Sequence, residues 1–155
     1  MAQTNQRPLQ ISLVYGLVTG IAVGVSEMAL ILLFVLAPGP LGSVLGRLSP
    51  ILLLLAYLYA GYQAARRTGN LFAGSLAGAL TGVFSVATVI FGFYLLGSLL
   101  HMGLIINPRL FIVPIDLTFV APLASPVVRI FLTFALYGAL VGTLGGVVGR
   151  QRARF

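Results

Sequence analysis

The sequence contains no cysteine, no tryptophan and no lysine, and among its 155 residues there are only two acids and one histidine. The absence of cysteine excludes disulfide bonds and thiolate metal sites. Charged residues make up 7% of the chain, whereas a soluble domain carries roughly 25%, so polar groups are too few to cover a surface in water. Because 59% of the residues are hydrophobic, the composition predicts an integral membrane protein with a single domain spanning residues 1–155.

Long apolar runs separated by proline, glycine and arginine predict an all-α, polytopic protein with four transmembrane helices. The expected spans are about 9–36, 50–65, 71–100 and 126–149. Residues 41–48 would then form a short external connection, with Ser49 as the N-cap of the second helix and Pro50 at its first position. Between the second and third spans, Gly69 or Asn70 is expected to take a left-handed conformation.

Residues 101–125 are strongly apolar, but prolines interrupt them too often for a spanning helix. Irregular backbone is not tolerated in contact with lipid, so this outer segment is expected to lie at the interface, to re-enter under protein cover, or to dock on a partner. The side chains predicted to contact such a partner are Phe111, Ile115 and Phe119.

Glycine recurs every fourth residue in three of the four spans, which places each set on one face of its helix. Such small-residue (GxxxG-type) seams let two helix backbones approach closely in a membrane. The predicted packing residues are Gly16, Gly20, Gly24, Gly74, Gly78, Gly82, Gly138, Gly142 and Gly146.

The nine basic residues are all arginines, and they stand singly or in pairs at the ends of the apolar runs. This placement indicates membrane topology and not nucleic-acid binding. With both termini in the cytoplasm, six arginines lie inside and three outside, so the prediction is a multi-pass protein of the cell membrane with N-in, C-in orientation. The cytoplasmic anchors in this interpretation include Arg66, Arg67, Arg150, Arg152 and Arg154.

Glu27 is the one acid within a predicted span, about 13 Å from the end of the first helix at Leu36. Eleven residues separate it from Gly16, which puts both on the same helix face. An ionised carboxylate at this depth is costly unless it is paired. Glu27 is therefore either a functional group, such as a proton or ion site, or a structural clamp that bonds to Ser85 or Thr88 or pairs with Arg129.

Aromatic and imidazole groups near the span ends have two interpretations each. Tyr57, Tyr59 and Tyr62 lie toward the end of the second span, where an interfacial belt is favoured over ligand binding. His101 follows the third span and is expected to be a polar anchor. The alternative for His101 is an axial ligand to a haem or pigment with a single protein ligand.

Catalytic patterns are missing from the sequence. There is no G-x-S-x-G nucleophile elbow, and the single histidine and two acids are scattered along the chain instead of clustered as metal ligands. The protein is therefore not expected to be an enzyme, and no metal or other cofactor is expected apart from the pigment alternative at His101.

The turn G-Y-Q-A-A-R-R-T-G at residues 61–69, together with A-G-S-L-A-G at 73–78, resembles a turn found in small bacterial four-helix integral membrane proteins. This resemblance implies a bacterial inner-membrane bundle but no activity. Four spans with one glutamate in the first are also similar to small multidrug-resistance transporters. The chain departs from that family in its greater length, its lack of tryptophan and its outer segment.

Two hypotheses for function follow from these features. The first is a non-catalytic accessory or assembly subunit of a larger membrane complex, such as a respiratory or photosynthetic one, which docks through the glycine seams and the outer segment. The second is a small oligomeric transporter or channel that uses Glu27. Both imply membrane lipids as partners, together with other integral membrane subunits or further copies of this chain.

Overall fold

The computed structural model describes residues 6–36, 40–99 and 126–152, and these form four helices with no strand among them. Helix α1 spans Gln6–Leu36, α2 spans Pro40–Thr68, α3 spans Leu71–Leu99 and α4 spans Pro126–Arg152. Each contains a stretch long and apolar enough to cross a membrane: Pro8–Leu33, Leu48–Thr68, Leu71–Leu96 and Val127–Arg152. The prediction of an all-α, multi-pass membrane protein with four spanning helices is confirmed.

The predicted start of the second helix is wrong. Helix α2 begins at Pro40, so residues 41–48 are helical and Pro50 lies inside the helix. A proline at this position cannot donate a hydrogen bond to the carbonyl four residues earlier. Membrane helices nevertheless continue through proline where neighbouring groups satisfy the freed carbonyl. Ser49 is consequently an interior residue of α2 and not its N-cap.

The helices alternate in direction and form a four-cornered bundle. Residue numbers increase together along the contact between α1 and α3: Gly16 faces Leu80, and Gly24 faces Thr88. These two helices are therefore parallel. Helix α3 contacts α1, α2 and α4, and α2 also contacts α1 and α4. Because the described parts of α1 and α4 hardly touch, these two helices occupy opposite corners.

Helices α3 and α4 approach each other backbone to backbone. A Cβ atom added to Gly78 would meet the carbonyl oxygen of Gly138, and one added to Gly142 would lie 2.7 Å from the carbonyl oxygen of Gly74. By contrast, the nearest atom to a Cβ on Gly146 would be 3.5 Å away, an ordinary contact distance. The glycines of α1 face side chains of α3, so every predicted packing glycine lies against a helix of the same chain.

The buried core divides into two parts along the bundle. Where α1 and α3 begin, Ala60, Ala64, Ala73 and Ala77 are at most 1% exposed and pack against Tyr15. Larger side chains fill the other part of the core: Val23, Leu53, Tyr57, Val86, Phe134 and Val141.

Outward-facing positions are apolar. On α4, Leu132, Leu136, Leu140 and Leu144 recur every fourth residue and are 41–64% exposed. A stripe of exposed leucines would be unfavourable in water but suits contact with acyl chains. Arginines instead gather at one end of the bundle, where α2 and α4 end, with Arg66, Arg67, Arg150 and Arg152. We refer to this as the arginine end; the N-in, C-in orientation stays a prediction.

The turn between α2 and α3 depends on Gly69, whose φ of 67° is left-handed. We expect Gly69→Ala to lower the free energy of unfolding by about 1–2 kcal/mol, because Cβ disfavours this conformation. No atom lies within 4 Å of the added Cβ, so the cost is conformational and not steric. Gly69→Asn should be tolerated better, and unfolding in mild detergent measures both. Equal losses for alanine and asparagine would contradict this explanation.

The backbone contact between α3 and α4 provides a second test. Gly78→Ala should destabilise the folded protein by about 1–3 kcal/mol or more, because its methyl group meets a backbone carbonyl that cannot rotate away. Gly146→Ala, in the same helix pair, should change stability little, since its methyl group would sit at contact distance. Thermal unfolding in detergent compares the two. Similar melting temperatures for the two variants would contradict the observed packing.

Candidate functional site

The acid predicted to lie within the membrane is buried between helices. Glu27 is 7% exposed, and its Oε1 atom accepts a hydrogen bond of 2.8 Å from the Oγ atom of Ser49 on α2. Six residues separate Glu27 from the end of the α1 span at Leu33, which corresponds to about 9 Å of helix. The site therefore lies inside the span, toward the end opposite the arginine end.

The hydroxyls expected to pair with Glu27 have other partners. Ser85 Oγ donates to the carbonyl of Gly82 at 3.0 Å, and Thr88 Oγ1 donates to the carbonyl of Phe84 at 2.7 Å. Arg129 is half-buried in the first turn of α4, the helix that hardly contacts α1. The hydrogen bond to Glu27 comes instead from Ser49, the residue predicted to cap α2.

A signal for this pairing was present in the sequence. Glu27 and Ser49 each lie eleven residues from Pro38. Two antiparallel helices joined by a tight connection bring residues at equal distances from the turn to the same level. Because residues 41–48 are helical and do not form the predicted loop, the two residues stand at the same level.

Tyr57 occupies the middle of the bundle, so its assignment to an interfacial belt is wrong. It lies nine residues from one end of the span Leu48–Thr68 and eleven from the other, and it is completely buried. Its ring packs edge-to-face on Tyr137 of α4, with centroids 5.8 Å apart and an angle of 73°. Tyr59 is 53% exposed on the opposite side, because two residues correspond to about 200° of helix rotation.

The hydroxyl of Tyr57 has no hydrogen-bond partner among the described residues. The side chain of Ser85 lies beside it. Three helices thus bring one carboxyl and three hydroxyl groups into the interior of the bundle. We call Glu27, Ser49, Tyr57 and Ser85 the polar cluster.

A second polar region lies at the arginine end. The Oγ atom of Ser12 is hydrogen-bonded to the carbonyl oxygens of Pro8 and Ala73, and so links α1 to α3. Nearby, the guanidinium group of Arg67 lies 5.2 Å from the ring centroid of Tyr15. A cavity of about 260 Å³ opens here, lined by Pro8, Leu9, Ser12, Asn70, Phe72, Ala73 and Leu76. Among the described residues, its lining includes no acid and no histidine.

Several predicted site residues lie outside the described residues. These are His101, the outer segment 101–125 with Phe111, Ile115 and Phe119, and the terminal Arg154. Within residues 6–36, 40–99 and 126–152, no three residues of the types His, Cys, Asp and Glu come together as a metal site. The pigment hypothesis at His101 stays a prediction.

Comparison of the chain with protein-family models, with curated proteins and with solved structures finds no match.

The hydrogen bond from Ser49 to Glu27 predicts a measurable stability difference. Ser49→Ala leaves a buried carboxyl group without its donor, so we expect a loss of about 1–3 kcal/mol in the free energy of unfolding. Ser26→Ala is the matched control, because Ser26 is exposed and its Oγ atom is bonded within its own helix. Unfolding in detergent compares the two variants, and an unchanged Ser49→Ala protein would refute the role of this contact.

Proposed function

We propose that the protein is a small membrane transporter or channel in which Glu27 binds and releases a proton. The observation that carries the proposal is a carboxyl group buried in a membrane bundle and held by a hydroxyl from the neighbouring helix. An ionisable group inside a membrane is costly for folding, and such groups most often serve transport or proton transfer. Nothing in the packing of α1 requires an acid at this position, because the glycines already bring the helix against α3.

The chemistry of the Ser49 contact suits proton exchange. A serine hydroxyl can donate to an ionised carboxylate and can accept from a protonated one, so the same neighbour serves both states. A basic partner would instead hold the carboxylate permanently in its ionised form.

The polar cluster also supplies groups deeper in the bundle. Tyr57 and Ser85 lie near the middle of their spans, whereas Glu27 and Ser49 lie nearer one end. Tyr57 and Ser85 thus add hydroxyl oxygens at a greater depth than the Glu27–Ser49 pair.

A second candidate is the accessory or assembly subunit of a larger membrane complex. It is favoured by the exposed aromatic side chains Phe91 and Tyr94 near the end of α3, which are 61% and 69% exposed. The glycine seams do not support it, because those glycines already pack within the chain. Docking would have to use the outer faces of the helices or the outer segment.

Glu27→Gln tests the transport proposal while keeping the shape of the side chain and its acceptor oxygen for Ser49. In proteoliposomes containing a pH-sensitive dye, we expect the variant to lose at least about tenfold in proton flux, because an amide cannot release a proton. Ser26→Ala should retain the flux of the unmodified protein. Equal flux in the glutamine variant, or no protein-dependent flux at all, would reject Glu27 as the transport group.

Migration in native gels then decides between the two candidates. A transporter or channel purified in mild detergent should migrate alone or as copies of itself. An accessory subunit should migrate with other polypeptides in a complex of fixed composition, and Glu27→Gln should leave that complex unchanged.

A further inference from the structure

The cavity at the arginine end lies between the beginnings of α1 and α3, and its volume is about 260 Å³. Its lining reaches the outer surface of the bundle, because the lining residues Leu9 and Phe72 are 55% and 67% exposed. Pockets that enclose a whole small molecule measure roughly 300–1,000 Å³. A cavity of this size, open to the outside of the bundle, therefore suits one part of a longer molecule.

The depth of the cavity matches the boundary between lipid headgroups and acyl chains. The spans of α1 and α3 begin at Pro8 and Leu71, and the cavity extends from this level to Ser12 and Leu76. Four or five residues of helix correspond to about 6–8 Å. One end of the cavity thus lies at the level of the headgroups, and the other lies beside the first part of the acyl chains.

The deeper end of the cavity is apolar in the part of the chain that the structure describes. Leu9 and Leu76 contribute apolar side chains, and the hydroxyl group of Ser12 is already bonded to two backbone carbonyl oxygens. A polar ligand would gain little there, whereas a hydrocarbon chain restores the dispersion contacts that an unfilled space lacks. This end therefore suits an acyl chain.

The shallower end of the cavity carries polar donors. Asn70 accepts a hydrogen bond of 3.0 Å from the backbone amide of Phe72 through Oδ1, which leaves the amino group of its side chain as a donor. Three residues earlier, the guanidinium group of Arg67 lies 5.2 Å from the ring centroid of Tyr15. This contact holds the positive charge of α2 against α1, one of the two helices that form the cavity.

The charge around this end is positive and unbalanced. Four arginines end α2 and α4 here: Arg66, Arg67, Arg150 and Arg152. Glu27 is the only acid among the described residues, and it lies toward the opposite end of the bundle. Positive clusters beside a membrane span attract lipids with a net negative charge.

We propose that the cavity binds one anionic phospholipid of the surrounding membrane, with an acyl chain between α1 and α3 and the phosphate group at Asn70 and the arginines of α2. Arginine suits a phosphate group because its planar guanidinium group can donate two parallel hydrogen bonds. A helix from a second copy is a poor fit, because a helix with its side chains is about 10–12 Å wide and exceeds the cavity. The site is remote from Glu27, so the inference does not depend on transport.

Photocrosslinking in vesicles tests this site. The full chain is reconstituted in phosphatidylcholine that contains a trace of phosphatidylglycerol with a diazirine group in one acyl chain, and mass spectrometry identifies the labelled peptides. We expect label in residues 8–12 and 72–76, at least about fivefold stronger than with the matching phosphatidylcholine probe, because one arginine beside an anionic lipid contributes roughly this factor. Equal labelling by the two probes, or label spread evenly over the outer faces of the helices, would overturn the proposal.

Filling the cavity gives a second readout. Leu9→Trp places a larger side chain in the cavity and should remove most of the label from residues 72–76. Val148→Trp is the matched control, because Val148 is 52% exposed and lies near the same end of the bundle, but on α4, which hardly contacts α1. Unchanged labelling of the Leu9→Trp variant would contradict the proposal.

Charge variants provide a readout that does not depend on how the tryptophan packs. Replacing Arg66 and Arg67 together by glutamine should reduce labelling by the anionic probe to the level of the phosphatidylcholine probe. Replacing Arg150 and Arg152 by glutamine removes the same charge from α4 and should retain most of the preference. An equal loss in both double variants would mean that the whole end attracts anionic lipid without a site at the cavity, and would reject the proposal.

Discussion

The close approach of the α3 backbone to α4 determines the rest of the structure. At Gly78 and Gly138 no side-chain atom separates the two helices, so α3 lies deep in the bundle and contacts all three other helices. In lipid, helices gain little from the hydrophobic effect when they associate, and dispersion contacts between closely packed backbones replace it. Burial of the polar cluster is a consequence, because α3 brings Ser85 to the level of Tyr57 and closes the space beside α1 and α2.

The polar cluster is a departure from this packing. Elsewhere in the described interior, hydroxyl groups such as those of Ser12 and Thr81 bond to backbone carbonyls and so cost little. In the cluster, the Glu27 carboxyl group is bonded to Ser49, and the Tyr57 hydroxyl makes no hydrogen bond with a described residue. Local violations of otherwise consistent packing are expected at functional sites. The polar cluster is therefore a better candidate site than the cavity at the arginine end. In that cavity, the lining residue Ser12 is hydrogen-bonded to the carbonyl oxygens of Pro8 and Ala73.

Most of the fold was predictable from the sequence, because spans are determined by long apolar runs. The ends of α1, α3 and α4 fall within three residues of the expected ones. Helix α2 was mispredicted because Ser49 and Pro50 match a helix-start signal, whereas Ser49 is bonded to Glu27 and Pro50 lies inside the helix. The recurrence of glycine at every fourth residue predicted that these glycines share a helix face. It did not predict which residues they face: Gly20 packs against the side chain of Phe84 and not against another glycine.

The candidate site was only partly predictable. An acid within a span identified Glu27, but the choice of its partner depended on helix direction and register, which residue types alone do not give. Tyr57 was missed because it was grouped with Tyr59 and Tyr62 as an interfacial belt, although it already stood at the centre of the predicted span 50–65.

The position of Glu27 and Ser49 in the first two helices has a consequence for biogenesis. Both residues lie within the first fifty of the chain, so they leave the ribosome before any part of α3. Helices α1 and α2 can enter the lipid as a hairpin in which the carboxyl group already has its hydroxyl neighbour. In such a hairpin the Ser49–Glu27 hydrogen bond needs no residue of α3 or α4, and these two helices complete the enclosure of the acid.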